Sequence, residues 1–517
     1  MKSLFPVAVL ALATACGGAP PPAPESPPPA PPATSAPPDE QPVLAKPEDI
    51  IPEPSAECRK LAAPVAAEEC PAEMATAIGE RLSSPSRLLA WERCPGVEPG
   101  LMRALVAELS PIECADVLVE PSGAPAPSGE VREVLNGLGV AARLARLAGE
   151  PPRLEPPYDK ARFLDFLSSR LAPWMIAQAK AIDSLSKQGA GLHGYAMGVV
   201  AIQAGLADLR MVELMRQTSL PEEMAGDAEV EEVYFAALDQ ALEPRKTRGR
   251  DAALVGLRRF HEVGAIEDDR LSSAHRLLSL LYNGRRIDRL EQLMLPAPLV
   301  SPAPLVSSAP QSADKVAGFS AMPTYYAGKL IPAEKLQESL DSVSQRGLPP
   351  VLQQSIEAPG AKLLPPEKTF AYALGLAHLS QRYFTRADFE RAGKVAQGIA
   401  KDKTYGAKAK LLSALGEAMV GAPDDAAKMM LGGFGDWKPN VKALDALGKG
   451  TGEVAGMAAF DAAFLLELAA PQTADAAFWQ DLAKRYTAAE KRLKGEAATR
   501  AKERADAAKQ TADSIRK

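Results

Sequence analysis

Residues 131–147, VREVLNGLGVAARLARL, decide how the body of this chain is read. Val134, Leu138, Val140, Leu144 and Leu147 return at helical intervals, which places them on the buried face of a helix. The same spacing recurs in Leu164, Leu167 and Leu171, then in Leu206, Leu209, Val212 and Leu214, and continues through about residues 227–295. Aromatic residues make up only 5% of the chain and alanine is abundant, a balance that favours close-packed helices over sheets rich in Val, Ile and Tyr. The expectation is an all-α fold: a multi-helix bundle or a solenoid-like helical body.

Towards the C-terminus the hexapeptide Pro-Ala-Pro-Leu-Val-Ser occurs twice in tandem, at 296–301 and 302–307, so 296–313 reads as a linker between helical blocks 130–295 and 314–517. The later block ends in what reads as one long helix from about Ala474, with Phe478, Leu482, Tyr486 and Leu493 on one side. Beyond Leu493 little apolar remains except alanine and Ile515, so the last turns are expected to project or fray.

Towards the N-terminus, residues 121–129 (PSGAPAPSG) form a second linker, across which few contacts are expected. Before it, a segment over 57–120 holds Cys58, Cys70, Cys94 and Cys114 among short helices begun by proline at Ser84-Pro85 and Ser110-Pro111. Ser110 and Glu113 have capping-box spacing. Helices this short are marginal alone, so disulfides are expected to brace them. Three pairings are possible, and Cys58–Cys70 with Cys94–Cys114 is preferred because each closes a short loop. A zinc site is the other use of four cysteines, but no C-x-x-C pair is present.

Residues 16–56 are dominated by Pro, Ala, Ser and Gly, with runs at 20–22 and 27–29. Proline lacks the amide donor and fixes φ, so this is a disordered, semi-rigid tether reaching on the order of 100 Å at about 3.1 Å per residue. Ahead of it, residues 1–15 run from Lys2 through the apolar stretch 4–12 to Ala13-Thr14-Ala15 and Cys16-Gly17-Gly18, the pattern of a secretion signal. The stretch is too short for a bilayer span, which takes about 20 residues, and no later stretch reads as apolar enough.

Ala13-Thr14-Ala15-Cys16 resembles the lipobox of bacterial lipoproteins, with Ala13 where the commonest form carries a larger residue. The resemblance implies cleavage before Cys16, lipid on that cysteine, and an exported protein anchored in the bacterial cell envelope, at the outer membrane where the cell has one. Removing Cys16 for lipid leaves an even set of four cysteines, which suits an oxidising compartment. In the later block, Leu374-Gly375 with Ala387, and Leu415-Gly416 with Ala427 and Leu431, loosely resemble the tetratricopeptide pattern and imply stacked helical hairpins. The chain departs from that pattern at His378 and Met419, where the family has tyrosine, and in the 41 residues between its Leu-Gly pairs, against about 34 in the family.

The densest basic residues are Arg245, Lys246, Arg248 and Arg250, then Arg285, Arg286 and Arg289. They suggest a weak patch for an anionic partner, or a solvated face paired with neighbouring acids. A net charge of −6 gives no case for nucleic acid.

Sites for chemistry find little support. Of the histidines His193, His261, His275 and His378, only His261-Glu262 begins a zinc-protease motif, and the position for its second imidazole is Ala265. All four are read as structural or surface residues. Gly450-Thr451-Gly452-Glu453-Val454-Ala455 fits the dinucleotide fingerprint formally, but helix rather than strand precedes it, so it reads as an interhelical turn. No catalytic, cofactor or metal residue is assigned. The expectation is an envelope lipoprotein whose helical body makes non-catalytic contact with envelope proteins or cell-wall polymer. The rival class is an envelope hydrolase with a carboxylate-based site, which a cleft holding two buried carboxylates would favour.

Overall fold

The computed structural model describes residues 50–121, 123–127, 129–147, 151–156, 160–217, 228–297 and 322–516. The signal segment, Cys16, the tether up to residue 49 and positions 298–313 of the 296–313 linker, the third in chain order after the tether and 121–129, lie outside the described residues. Among the described residues the regular structure is helical, with no strand and one isolated bridge between Ala265 and Gly347, so the fold is all-α.

The cysteine segment contains α1 (Ala56–Leu61), α2 (Met74–Arg81), a 3-10 turn (Pro85–Trp91), α3 (Leu101–Leu109) and a second 3-10 turn (Ile112–Leu118). All four cysteines pair, but the connectivity is nested: Cys58–Cys114 and Cys70–Cys94, with Cα separations of 4.8 and 5.6 Å. This corrects the sequential pairing expected above. Loop length was the wrong criterion, because α1 packs against the Ile112–Leu118 turn and so brings the two ends of the segment together. The capping box at Ser110 is also absent: Ser110 ends α3, and its hydroxyl donates back to the Val106 carbonyl at 2.7 Å.

The next elements are α4 (Gly129–Arg146), α5 (Lys160–Phe166), a π-helical turn (Leu167–Leu171), α6 (Ala172–Gly189), α7 (Gly194–Arg216), α8 (Ala228–Glu262) and α9 (Asp269–Leu281). Val134, Leu138, Val140, Leu144 and Leu147 are all buried, as their spacing requires. Helix α7 has the length and hydropathy of a membrane span, contrary to the expectation that no later stretch does, but 83% of that stretch is buried inside the protein. Its closest partner is α8. A Cβ on Gly205 would lie 2.6 Å from the Ala253 nitrogen, and one on Gly256 would lie 2.6 Å from the Ile202 Cβ, so only glycine admits this approach.

Past the third linker come α10 (Thr324–Leu330), α11 (Ala333–Glu338), α12 (Leu340–Arg346), α13 (Pro350–Glu357), α14 (Pro366–Tyr383), α15 (Arg386–Gln397) and α16 (Gly406–Ala418). They are followed by α17 (Ala426–Gly432), α18 (Lys442–Gly448), α19 (Glu453–Leu468), α20 (Ala476–Glu490) and α21 (Gly495–Arg516). The glycines of the two Leu-Gly pairs serve close packing here: Gly375 abuts Ser344, and Gly416 abuts Gly393. The stretch 450–455 is the turn into α19, with Gly452 at φ +87°.

The long C-terminal helix is not formed. The chain breaks after Glu490, takes a positive φ at Gly495, and α21 folds back along α20. Helix α21 buries Ala501, Ala505, Ala508 and Ala512, a stripe that brings backbones close without large side chains. Alanine supplies the face that appeared to be missing.

Buried apolar residues between Ala75 and Ala508 form a main core spanning all three parts of the chain, and Val140, Leu144 and Leu147 belong to a second, smaller one with Ile182, Leu185 and Val200. The expectation of few contacts across 121–129 is therefore not met. The Ile112–Leu118 turn packs along α4, and Arg146 of α4 holds Asp116 at 2.5 Å. A segment of three short helices and two 3-10 turns is too small to bury all its apolar side chains and uses α4 to do so.

Candidate functional site

Among the clefts that open on the described residues, two stand out by size. The larger, about 850 Å³, lies where the cysteine segment, the earlier helices and the later helices meet; its walls include Glu108, Asp268, Arg270, Glu291, Arg346 and Arg382. Asp268 is the N-cap of α9, accepting from the backbone N–H of Arg270 at 2.8 Å. The Arg270 guanidinium donates to Asp268 Oδ2 at 2.7 Å and to Glu108 Oε1, which also accepts from the Tyr195 hydroxyl at 2.8 Å. Tyr195 stacks on Tyr325 with centroids 4.3 Å apart, and Arg270 lies over the Phe260 ring at 4.9 Å. Burial pushes the Glu108 carboxyl up while Arg270 pulls it down, and the net direction is upward. Five acidic residues line this cleft, Glu108, Glu267, Asp268, Asp269 and Glu291; the two least exposed of them, Glu108 and Asp268, share one guanidinium, and Asp268 also caps a helix. Chemically the group is a clamp joining all three parts of the chain.

The smaller cleft, about 640 Å³, is walled by His261 and Glu262 from the end of α8, Pro350, Gln353, Gln354 and Glu357 from α13, Ala358, Leu379 of α14, and Asp388 and Arg391 from α15. Asp388 is 3% exposed and accepts from Thr385 Oγ1 at 2.6 Å, from Arg391 at 3.0 Å, and from His261 Nε2 at 2.6 Å. Burial alone would raise Asp388, but the hydrogen bond and charge of His261, with Thr385 and Arg391, hold it below the usual carboxylate range. An ionised Asp388 requires His261 to carry a proton on Nε2, which leaves Nδ1 to hydrogen-bond a partner in the cleft. The side chain of His261 is 32% exposed at the cleft wall. Arg391 also donates to Gln353 at 2.8 Å, to Glu357 at 2.7 Å and to the Tyr372 hydroxyl at 3.3 Å.

The basic residues singled out from sequence fall into separate settings. Arg245 and Arg248 converge on Asp183 and the buried Asp208, which burial pushes up to about 7 against the pull of Arg245. Lys246 and Arg250 lie over the Tyr282 ring and pair with Glu243 and Asp251. Arg285 donates to the carbonyls of Met430 and Leu431 at the end of α17, Arg286 pairs with Asp288, and Arg289 is half-buried near Glu467 and Arg504. Of the histidines, His193 is exposed beside Glu133, His275 is buried and His378 is partly buried at the wall of the larger cleft; desolvation pushes both of the latter towards the neutral form.

Sequence reading missed both the Arg270 clamp and the His261–Asp388 pair. Glu108 and Arg270 are 162 positions apart, and His261 and Asp388 are 127 apart, so no local pattern joins them. The one local signal was Asp268 ahead of the apolar spacing of α9, a helix start of the usual kind. No family model, no curated protein and no solved structure matches the chain.

Proposed function

We propose that this protein is an envelope lipoprotein, anchored through lipid on Cys16, whose helical body binds or scaffolds envelope proteins or cell-wall polymer without catalysing a reaction. The observation that carries the reading is the fixed, mixed-charge cleft of about 850 Å³ at the meeting of the three parts of the body. Its inner carboxylates and Arg270 bind one another, so the site is rigid and pre-organised for contact and is poor in groups free to react. The two disulfides fit an oxidising, extracytoplasmic compartment. A tether of about 40 residues would hold such a body well clear of the bilayer that anchors it.

Proximity cross-linking in the native envelope, with probes placed on the rim of this cleft, tests the reading. Discrete protein or cell-wall adducts that disappear when Arg346 and Arg382 are both changed to Glu are the expected result. Adducts indifferent to that change would overturn it. Metabolic labelling with a fatty-acid probe tests the anchor: incorporation should be lost in Cys16→Ser, and label retained in the variant or absent from the wild type would refute the lipoprotein reading.

A further inference from the structure

The smaller cleft carries a ligand site of its own. We propose that it binds a neutral, hydroxyl-rich chain, a stretch of polysaccharide, with His261 Nδ1 as the central hydrogen-bonding atom. The inference rests on the interaction reading above and names a partner class for it.

His261 is oriented by a buried carboxylate that is itself held by Thr385 and Arg391, so the imidazole at the wall is pre-organised. Glu357 spends Oε1 on Arg391 and Tyr372, which orients its second oxygen. Gln354 adds an amide that both donates and accepts. Pro350, Ala358 and Leu379 supply apolar wall between these polar points. Planar, pre-oriented acceptors and amides beside small apolar surfaces match a sugar ring, whose hydroxyls donate and accept at its edge and whose C–H faces are apolar.

The charge excludes the obvious competitor. Arg391 is the only Lys or Arg among the residues lining the cleft, and its terminal nitrogens bond Asp388, Gln353, Glu357 and Tyr372. Asp388, Glu357 and Glu262 outnumber it, so an anionic polymer meets net repulsion. A cavity of about 640 Å³ is in the range that takes a ligand of two or three sugar units. Metal ligation is a poorer use of His261, since no group of three ligands forms among the described residues.

The test uses the full chain in lipid nanodiscs, titrated with tetra-N-acetylchitotetraose as the neutral probe and with a galacturonic acid tetramer as its anionic counterpart. Saturation-transfer NMR and calorimetry read binding, and circular dichroism reads folding. Saturable binding of the neutral probe is expected, weakened about tenfold by His261→Ala or Asp388→Asn and about threefold by Gln354→Ala, with Lys246→Ala unchanged. Gln354 lies on the cleft wall, so that variant decides the matter even if a change at His261 or Asp388 disturbs folding. No saturable binding up to about 5 mM, equal affinity in Gln354→Ala and wild type, or preference for the anionic probe would each overturn the proposal. Its failure in solution would leave the cross-linking result intact, and an empty cross-linking result would leave this titration intact, so the two readings fail separately.

Discussion

Asp388 and Asp461 are both aspartates buried in the helical body, at 3% and 0% exposure, yet their surroundings drive them in opposite directions. Asp388 has three donors: an imidazole, a hydroxyl and a guanidinium. Asp461, on α19, has one, the backbone N–H of Met294 at 2.8 Å, and its Oδ2 is buried without a partner. Burial accordingly raises the Asp461 carboxyl well above its ordinary range, while Asp388 is held below its own. Desolvation acts on both; the number and charge of the donors decides which way each moves. The well-supplied aspartate lies at a cleft and orients a histidine. The poorly supplied one lies in the core and pins the Arg289–Gln292 turn and the residues after it to α19.

Glu108 tests the comparison from between these extremes, because burial raises it even though Arg270 is bonded to it. Changing Arg270→Met removes the one cation of that group and leaves Glu108 buried beside Asp268 without compensation. The expected loss is about 3–5 kcal/mol of stability, read by chemical denaturation. Adding Glu108→Gln to Arg270→Met should recover a good part of the loss, because the buried charge goes with it. If the double variant is as unstable as the single one, packing over Phe260 rather than charge is what Arg270 provides.

How far this was legible in the sequence follows from range. Helical spacing is local, so Val134, Leu138, Val140, Leu144 and Leu147 were placed in the core correctly, and the all-α fold with them. The cysteine connectivity was misjudged because it depends on α1 packing against a turn some fifty residues away. The C-terminal hairpin was missed because alanine was counted as weak apolar surface. In α21 it serves as the small residue that lets two helices approach, and Gly495 was the turn signal to weigh. Of the two clefts only a fragment was read: His261, as half of a motif lacking its second half. Their chemistry lies in pairs more than a hundred positions apart, which spacing cannot reveal.

The second measurement turns on Asp461. Its pKa is raised on folding, so the folded state is favoured below the unfolded carboxylate value of about 4, and that advantage is lost as pH rises through the folded value. Asp461→Asn keeps an oxygen to accept from Met294 and cannot ionise. It should therefore raise stability at pH 7 by roughly 2–3 kcal/mol, with the gain shrinking towards zero as pH falls below about 4. A gain that is the same at pH 7 and pH 3.5 would show that ionisation of Asp461 is not its source.

The smallest effect belongs to Asp388→Asn, and its sign against pH is the reverse. Asp388 is depressed on folding, so its contribution is present above the unfolded value of about 4 and is lost as pH falls through the lower folded value. Asparagine keeps an oxygen that can accept from one donor, but it carries no charge for His261 and Arg391, which both contact this carboxylate. A loss of roughly 1–2 kcal/mol at pH 7 is expected, narrowing on acidification as the wild type gives up the same interaction. Denaturant melts of both aspartate variants at pH 7, 5 and 3.5 would set the two curves side by side. One should start above the wild type and fall towards it, and the other should start below and rise. Parallel curves would mean that burial alone governs both carboxyls and that the donors around Asp388 are incidental. Nitrogen chemical shifts of His261 supply the sharper readout: the wild type should carry its proton on Nε2, and Asp388→Asn should let the ring sample both tautomers, which a role confined to packing would not produce.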